Sequence, residues 1–439
     1  MTWLQRYRIR HYLRNSIWVF PAGSIVLALI VARLLHWLED SLGWEASVNP
    51  ETARAVLGAL SSAMFTIVVF ICSSLLLVVQ LASAQLSPRV IATMFRDSVT
   101  KLTLVVLVFT FTFGLSAMIR IGTTVPFLVT YISAYGCAAS IAVFLYLIDH
   151  VGKMLRPSGA LHTVAAHAHK IIDEVYPDNL SNSPETPGEP SRTMNQGTSR
   201  TIGCPRDGVI LAFDVRGLVA LAERHDCVIE LIPQVGNFMA TAYPLFRVYG
   251  GASLPDDALR QCIALGVERT MEQDPALAFR LIVDIASKAL SPAINDPTTA
   301  VLAIDRIQHL LKHVGSRRLD DERVRDSKGR IRLLYRTPGW QDFVTLAVTE
   351  IRHFGGSSIQ VTRRLRAMLK ELIETLPRER AEPLRQELKL LTKSAERFFH
   401  EPEDRALADI GDSQGVGGSG EMAPISRQTG PNNDGEQKK

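Results

Sequence analysis

Residues 56–84, VLGALSSAMFTIVVFICSSLLLVVQLASA, form an apolar stretch without a formal charge. A helix needs about 20 apolar residues to cross the hydrocarbon core of a bilayer, and this stretch is longer. Inside lipid the backbone must satisfy its own hydrogen bonds, which a helix does within one segment. The stretch therefore predicts a transmembrane helix and, with it, an integral membrane protein.

The same stretch carries a stripe of four uncharged polar residues, Ser62, Thr66, Ser73 and Gln80. Their spacing places them on one face of a helix. Hydroxyl and amide groups on one face suit a water-filled path, so these four residues are candidate pore-lining residues. The alternative is that the same small hydroxyl residues pack against neighbouring helices.

Three further apolar segments, at about 16–38, 102–119 and 125–148, predict a total of four membrane helices. Lys and Arg concentrate in the N-terminal segment, in the link between the second and third helices, and after the fourth helix. The positive-inside rule then places both termini in the cytoplasm. Residues 1–15 form a basic juxtamembrane segment, interpreted either as lying on the anionic inner leaflet or as a plain topology signal.

Beyond the membrane helices, the pattern predicts a cytoplasmic α+β domain. We expect a membrane domain at 16–150, a polar solvated helix and flexible linker at 151–203, the α+β domain at 204–402, and a disordered tail at 403–439. Amphipathic helices at 357–376 and 380–399 suit a bundle or an oligomer contact. The predicted fold class is a polytopic α-helical membrane protein with four transmembrane helices and a cytoplasmic α+β domain.

Composition and motifs exclude several function classes. A formal net charge of +4 over 439 residues gives no reason to expect nucleic-acid binding. Five cysteines show no CxxC pairing, and His167 and His169 point to different sides of a helix, so we predict no metal site. No hydrolase, nucleotide-binding or kinase motif is present, and we predict a protein that is not an enzyme and needs no cofactor.

The most punctuated stretch outside the membrane helices is SPAINDPTT at 291–299. It links two predicted helices, with an aspartate and a proline at the start of the second. Oxygen-rich side chains and free amides at a helix start can bind a cation or a small polar ligand. The alternative is that these residues only cap the helix and close a turn. The candidate ligand or ion site comprises Asp284, Ser291, Asn295, Asp296, Thr298, Thr299 and Asp305.

A second candidate site lies just after the second membrane helix, at Ser87, Pro88 and Arg89. Ser87 can cap a following interfacial helix, and Arg89 can bind a lipid phosphate. The alternative is that this bend takes part in gating.

Three blocks carry a family resemblance: LASAQLSPRVIATMFRDSVTKLTLVVLVF at 81–109, GVILAFD and VGNFMATAYPL within 208–245, and ALSPAINDPTTAVLAIDRI at 289–307. Together they resemble a bacterial family of predicted membrane proteins, domain of unknown function twenty-two fifty-four. The resemblance implies a multi-pass protein of the bacterial inner membrane. It implies no activity and no catalytic residue.

Two functions follow as hypotheses. Four helices rarely enclose a path alone, so the first is a homo-oligomeric channel-like or transport protein with a ligand-sensing cytoplasmic domain. The second is a non-conducting membrane sensor or scaffold that recruits a cytoplasmic partner. In both cases the lipid bilayer is the expected environment, and the cytoplasmic partner is unknown.

Overall fold

The computed structural model describes residues 1–44, 46, 48–85, 97–122, 124–180, 199–251, 253–319 and 322–418. Within them, four helices are long and apolar enough to cross a membrane, which confirms that expectation. We call these four helices the apolar bundle. A short helix, α1 (Trp3–Asn15), precedes the bundle, which consists of α2 (Val19–Leu42), α3 (Pro50–Gln85), α4 (Ser98–Arg120) and α5 (Phe127–Met154).

Small residues bring the helices of the apolar bundle close together around the central helix α4. Ala28 and Ala32 of α2 are fully buried in one cluster with Ala117 of α4. Gly114 of α4 faces α3, where an added Cβ would lie 3.2 Å from the Oγ of Ser61. Helices in lipid associate largely through such close packing, because the surrounding acyl chains are as apolar as the helices.

The helix that follows the bundle, α6 (Pro157–Val175), is buried on one face. Leu161, Val164, Ala168 and Ile172 belong to a large hydrophobic cluster shared with later helices. The expectation of a solvated polar helix was therefore wrong, since its apolar residues recur at helical spacing and find partners more than 100 positions further along the chain.

Two sheets follow α6 in the chain. Their elements are β1 (Ser199–Gly203), β2 (Gly208–Phe213), α7 (Val215–Arg224), β3 (Val228–Leu231), β4 (Phe238–Met239), β5 (Pro244–Tyr249), α8 (Asp256–Arg260) and β6 (Ile263–Gly266). With two later strands, β7 (Glu322–Arg325) and β8 (Ile331–Tyr335), they form a five-stranded sheet of order β1-β5-β3-β8-β7 and a three-stranded sheet of order β4-β2-β6. All pairs are antiparallel except β3 with β8.

The remaining elements complete the five-stranded sheet and a helical core. They are α9 (Pro275–Ala289), α10 (Pro297–Gly315), β7 (Glu322–Arg325), β8 (Ile331–Tyr335), α11 (Trp340–Phe354), α12 (Ile359–Thr375), a short 3₁₀ helix (Arg378–Arg380), α13 (Ala381–Phe398) and α14 (Pro402–Ala408). Helices α6 and α9 to α13 share one hydrophobic core, while the five-stranded sheet and α7 contribute to another. We call the part from α6 onward the α+β region.

Two strands depend on partners far along the chain. β1 begins at Ser199, inside the predicted linker, and pairs with β5 through Ser199 and Tyr249. β6 pairs with β2, where Val209 is opposite Gly266. Both strands depend on partners roughly 50 residues away, so local periodicity did not reveal them.

The prediction of a disordered tail was wrong for residues 403–418. Helix α14 occupies Pro402–Ala408, and the chain then packs on α12. The side chain of Arg363 is 1% exposed and donates to the carbonyl oxygens of Ile410, at 3.1 Å, and Gly418, at 2.7 Å. A tail poor in apolar residues is therefore held by hydrogen bonds from a buried guanidinium to its backbone.

Candidate functional site

The link 291–299 is a tight, internally bonded turn. The N–H of Asn295 donates to Ser291 O at 2.9 Å, and the N–H of Asp296 donates to Ala289 O at 2.8 Å. The carboxylate of Asp296 accepts from Thr299 N at 3.1 Å and from Thr299 Oγ1 at 2.6 Å. Asn295 has a φ of 49°, a left-handed conformation that asparagine tolerates. The helix is therefore capped by Asp296 together with Thr299, and the turn is closed at Asn295. Thr298 is exposed.

The two flanking aspartates of this candidate site face different helices. Asp284 accepts from Arg280 Nε at 2.7 Å, and the same guanidinium binds Glu350 of α11. Hydrogen bonds from Arg280 lower the pKa of Glu350, and burial opposes that shift. Asp305 instead accepts from Arg364 of α12, at 2.7 Å.

The hydroxyl of Ser291 is also engaged, since Ser291 Oγ donates to Lys288 O at 2.7 Å. The structure therefore brings Ser291, Asn295, Asp296 and Thr299 together in one turn. It places Asp284 in an ion pair with Arg280 of its own helix, and Asp305 in an interhelical ion pair with Arg364. These contacts favour a structural role for the stretch. We keep a ligand role for it only as an untested expectation.

The polar stripe of α3 lies on the outer side of the apolar bundle. Ser62, Thr66, Ser73 and Gln80 are all exposed. Residues buried against the bundle recur on the opposite side of the helix, given about 100° of rotation per residue. These buried residues are Ala53, Leu57, Ser61, Met64 and Ile71. Among the described residues, the stripe therefore lies away from the other helices of the bundle, and the hydroxyl of α3 that faces α4 is that of Ser61.

Helix α3 is also the least buried of the four apolar helices. Only 11% of its most apolar 18 residues is buried, against 39% for α4. Apart from the stripe, its outer surface carries Phe65, Phe70 and Leu77, each more than half exposed.

Ser87, Pro88 and Arg89 lie outside the described residues, so their proposed lipid or gating role stays a prediction. The described chain resumes at Asp97, whose side chain caps α4 by accepting from Thr100 N at 2.8 Å. The same carboxylate lies 3.2 Å from His150 Nε2 of α5.

Histidines of α6 and α10 meet at one surface of the helical core. The rings of His169 and His313 lie 4.6 Å apart between centroids, and His313 Nε2 is 2.7 Å from Asp173. Burial, followed by the neighbouring His313 and His309, lowers the pKa of His169. Within the described ranges, no group of three or more His, Cys, Asp or Glu side chains is placed to hold a metal ion.

Sequence reasoning missed two charged residues at one end of the apolar bundle. Glu39 lies just beyond the first predicted membrane helix, at about 16–38, but is a buried residue of α2, and its carboxylate accepts from the N–H groups of Leu128 and Val129. Arg54 of α3 donates to Ile121 O at the end of α4 through Nε, at 3.1 Å. Both charges therefore satisfy helix ends that lack partners of their own. The sequence feature that could have indicated this role of Glu39 was Pro126. Pro126 is the N-cap of α5, and its side chain cannot accept a hydrogen bond, so the first N–H groups of α5 need an acceptor from elsewhere.

The apolar faces of α12 and α13 pack inside the protomer. Leu365 and Leu372 of α12 and Leu384 and Leu391 of α13 are buried in the helical core. These faces therefore form the bundle contact, one of the two roles that their amphipathic pattern suggested.

Four long apolar helices joined to a separate α+β region define the architecture of a predicted polytopic membrane protein. Residues 14–371 match the model of the family described as predicted membrane protein, DUF2254. The chain therefore belongs to this family, and the resemblance of the three sequence blocks is confirmed.

The similar proteins add no activity. An uncharacterised protein of Mycobacterium bovis is 25% identical over 427 residues, which cover 92% of this chain and 80% of the relative. An uncharacterised protein of Mycobacterium tuberculosis matches with the same identity and coverage. No solved structure matches.

Proposed function

We propose that the protein is a homo-oligomeric channel-like or transport protein, with no enzymatic role, in which copies of α3 line a shared path across the bacterial inner membrane. In this arrangement both termini and the α+β region are cytoplasmic. The observation that carries the proposal is the polar stripe on the outer side of the apolar bundle.

Two physical arguments support this role. Polar side chains that face lipid have no partner there, whereas around a shared axis they face water or each other. The stripe carries hydroxyl and amide groups but no charge, so it can line a path without trapping an ion. Because α3 is little buried within the protomer, one face of this helix also remains available to contact a second copy of the chain.

Conductance tests the path itself. The full-length protein is reconstituted in planar bilayers, and we expect single-channel events that Ser73→Leu and Gln80→Leu abolish or strongly reduce. Tyr135→Leu, an exposed position on α5, is the matched control and should leave the conductance unchanged. A stable oligomer that stays silent would contradict the proposal and favour the non-conducting sensor or scaffold.

Cross-linking tests the position of α3 separately from conduction. The exposed Cys72 is first replaced by alanine, and a cysteine is then introduced by Ser73→Cys or, as the control, by Leu145→Cys on the outer face of α5. A short bismaleimide should link copies of the Ser73→Cys protein in membranes, while the Leu145→Cys protein stays monomeric on denaturing gels. Equal cross-linking of both variants would argue against a central α3.

A further inference from the structure

A cavity of about 1070 Å³ lies where seven parts of the molecule meet. Its walls come from α1, the start of α2, the start of α4, the end of α5, α6, β2 and the loop that precedes α9. Because α4 and α5 belong to the apolar bundle and the loop to the α+β region, the cavity marks the boundary between the two.

Helix α1 closes one side of this cavity by docking on the three-stranded sheet. Trp3 and Tyr7 stack at 5.2 Å between centroids, and with Leu4 they pack on Val209 and Leu211 of β2. Trp3, Leu4 and Tyr7 of α1 therefore pack on the α+β region, a contact that neither interpretation of this segment from the sequence included. Its arginines remain exposed.

Polar contacts fix α1 in place at the cavity wall. Asn15 Nδ2 lies 2.7 Å from His11 Nε2, so the other ring nitrogen donates to Glu272 at 3.4 Å. Lys101 of α4 is 8% exposed, and its ammonium donates to the backbone carbonyls of Leu13 and Arg14. The end of α1 is thus tied to both the apolar bundle and the α+β region.

The polar half of the cavity holds cations that no carboxylate neutralises by direct contact. Arg10, Arg14 and Lys170 line it and form no ion pair with any described residue. Two of the lining carboxylates are already engaged, Asp97 with Thr100 and His150, and Glu272 with His11. Glu174 is the third lining carboxylate, and it is exposed.

The other half of the cavity is apolar and continues onto the surface of the bundle. Phe20, Leu102, Val105 and Met154 line it. Phe20 is 46% exposed and Leu102 is 62% exposed, so this wall opens towards the outside of helices that are apolar enough to cross a membrane. A ligand that fits both halves must carry an anionic group at one end and a hydrocarbon chain at the other.

We propose that this cavity binds one anionic glycerophospholipid of the membrane. Arg10, Arg14 and Lys170 contact the phosphodiester, and an acyl chain runs along Phe20, Leu102 and Val105. Basic pockets beside membrane helices on the cytoplasmic side recognise lipid headgroups by this combination of charge and apolar surface. The bound lipid would join α1, the apolar bundle and α6 at one point.

Lipid titration of the full-length protein tests the site. Delipidated protein in detergent is titrated with phosphatidylglycerol, and bound lipid is counted by native mass spectrometry. The double variant Arg10→Glu/Arg14→Glu should bind phosphatidylglycerol about tenfold or more weakly. The double variant Arg6→Glu/Arg8→Glu makes the same charge change on the same helix, outside the cavity, and should keep wild-type binding.

Two further arms identify the ligand and guard against misfolding. Inorganic phosphate should not displace phosphatidylglycerol, and phosphatidylcholine should bind more weakly than phosphatidylglycerol. Leu102→Asn should weaken long-chain phosphatidylglycerol more than its dihexanoyl form, and Lys170→Glu on α6 should reproduce the loss without altering α1. Displacement by inorganic phosphate, or equal losses in the two arginine pairs, would overturn the proposal.

Discussion

Glu39 shows how one side chain can stabilise the end of a distant helix. Helix α5 begins at Phe127 after Pro126, which offers no side-chain cap, and the Glu39 carboxylate accepts from the N–H groups of Leu128 and Val129 instead. A carboxylate at a helix N-terminus also interacts favourably with the helix dipole. Glu39 thus replaces a local cap with one from another helix.

Removing this cap should destabilise the bundle. Glu39→Ala leaves the buried N–H of Val129 and the part-buried N–H of Leu128 without this acceptor, and the buried group alone should cost about 1–3 kcal/mol in the free energy of unfolding. Glu39→Gln keeps one acceptor oxygen and should cost less. Thermal unfolding in detergent measures the loss, with the exposed neighbour Asp40→Asn as the control. Equal melting temperatures for all variants would contradict the capping role.

His169 should make the contact between α6 and α10 sensitive to acid. Burial and the nearby His313 and His309 lower its pKa below the ordinary value of 6.5, so the folded protein binds fewer protons at this site than the unfolded chain. Its contribution to stability is therefore present above pH 6.5 and is lost as the pH falls through the lower folded pKa. Asp173 opposes the shift without reversing it.

Melting temperatures between pH 7.5 and 5 measure this effect. His169→Gln removes the titrating group and should show a smaller acid-induced decrease than the wild type. His162→Gln, an exposed position on the same helix, should follow the wild-type profile. If the His169→Gln and wild-type profiles are parallel, the lowered pKa does not contribute to stability.

Helices α11 and α13 are joined by a buried ion pair. Arg352 Nε lies 2.9 Å from Glu387 Oε2, with side chains 7% and 8% exposed, and Thr349 Oγ1 donates to the same carboxylate at 2.7 Å. Removing one partner leaves an uncompensated buried charge, so Arg352→Met or Glu387→Met should lower the free energy of unfolding by about 3–5 kcal/mol.

The double variant Arg352→Met/Glu387→Met should recover much of this loss, because neither charge then remains buried. Chemical unfolding of the four proteins gives the coupling free energy of the pair. Arg385→Met breaks an exposed pair with Glu382 on the same helix and should cost no more than about 1 kcal/mol. Additive losses in the double variant would show that the pair is not coupled.

Elements that depend on local sequence were predictable, and those that depend on distant partners were not. The apolar helices were visible because about 20 apolar residues in succession have few other stable structures. The helix cap formed by Asp296 was also predictable, because Asp296 accepts from Thr299 N, only three residues further along the chain. By contrast, β6 needs β2, and Asp305 is held by Arg364 of a later helix, relationships that a single sequence does not encode in its spacing.

One property of the polar stripe of α3 was predictable from the sequence, and another was not. Helical spacing correctly placed Ser62, Thr66, Ser73 and Gln80 on one face, because the rotation per residue is a property of the helix itself. Which way that face points depends on how α3 packs, and Ser61, one position earlier, is the residue that faces α4.

The whole molecule gives two independent reasons for the proposed topology. Near the helix ends, the N-terminal segment carries Arg6, Arg8, Arg10 and Arg14, whereas the links after α2 (43–49) and after α4 (121–126) contain neither Lys nor Arg. The positive-inside rule then favours a cytoplasmic N-terminus. In addition, α1 docks on β2 and His11 contacts Glu272, so the N-terminal helix and the α+β region must lie on the same side of a membrane.

Labelling of single cysteines in intact cells should show this topology. Trp44 lies exposed in the link after α2, and Asp178 lies exposed just after α6. With Cys72 replaced by alanine, a membrane-impermeant maleimide should label the Trp44→Cys protein in intact cells and the Asp178→Cys protein only after permeabilisation. The remaining native cysteines are buried and serve as the background. If Asp178→Cys were labelled in intact cells, the orientation would be the reverse of the one proposed, and the lipid site would not be cytoplasmic. The N-terminal helix and the α+β region would still lie on the same side of the membrane, because α1 docks on the α+β region.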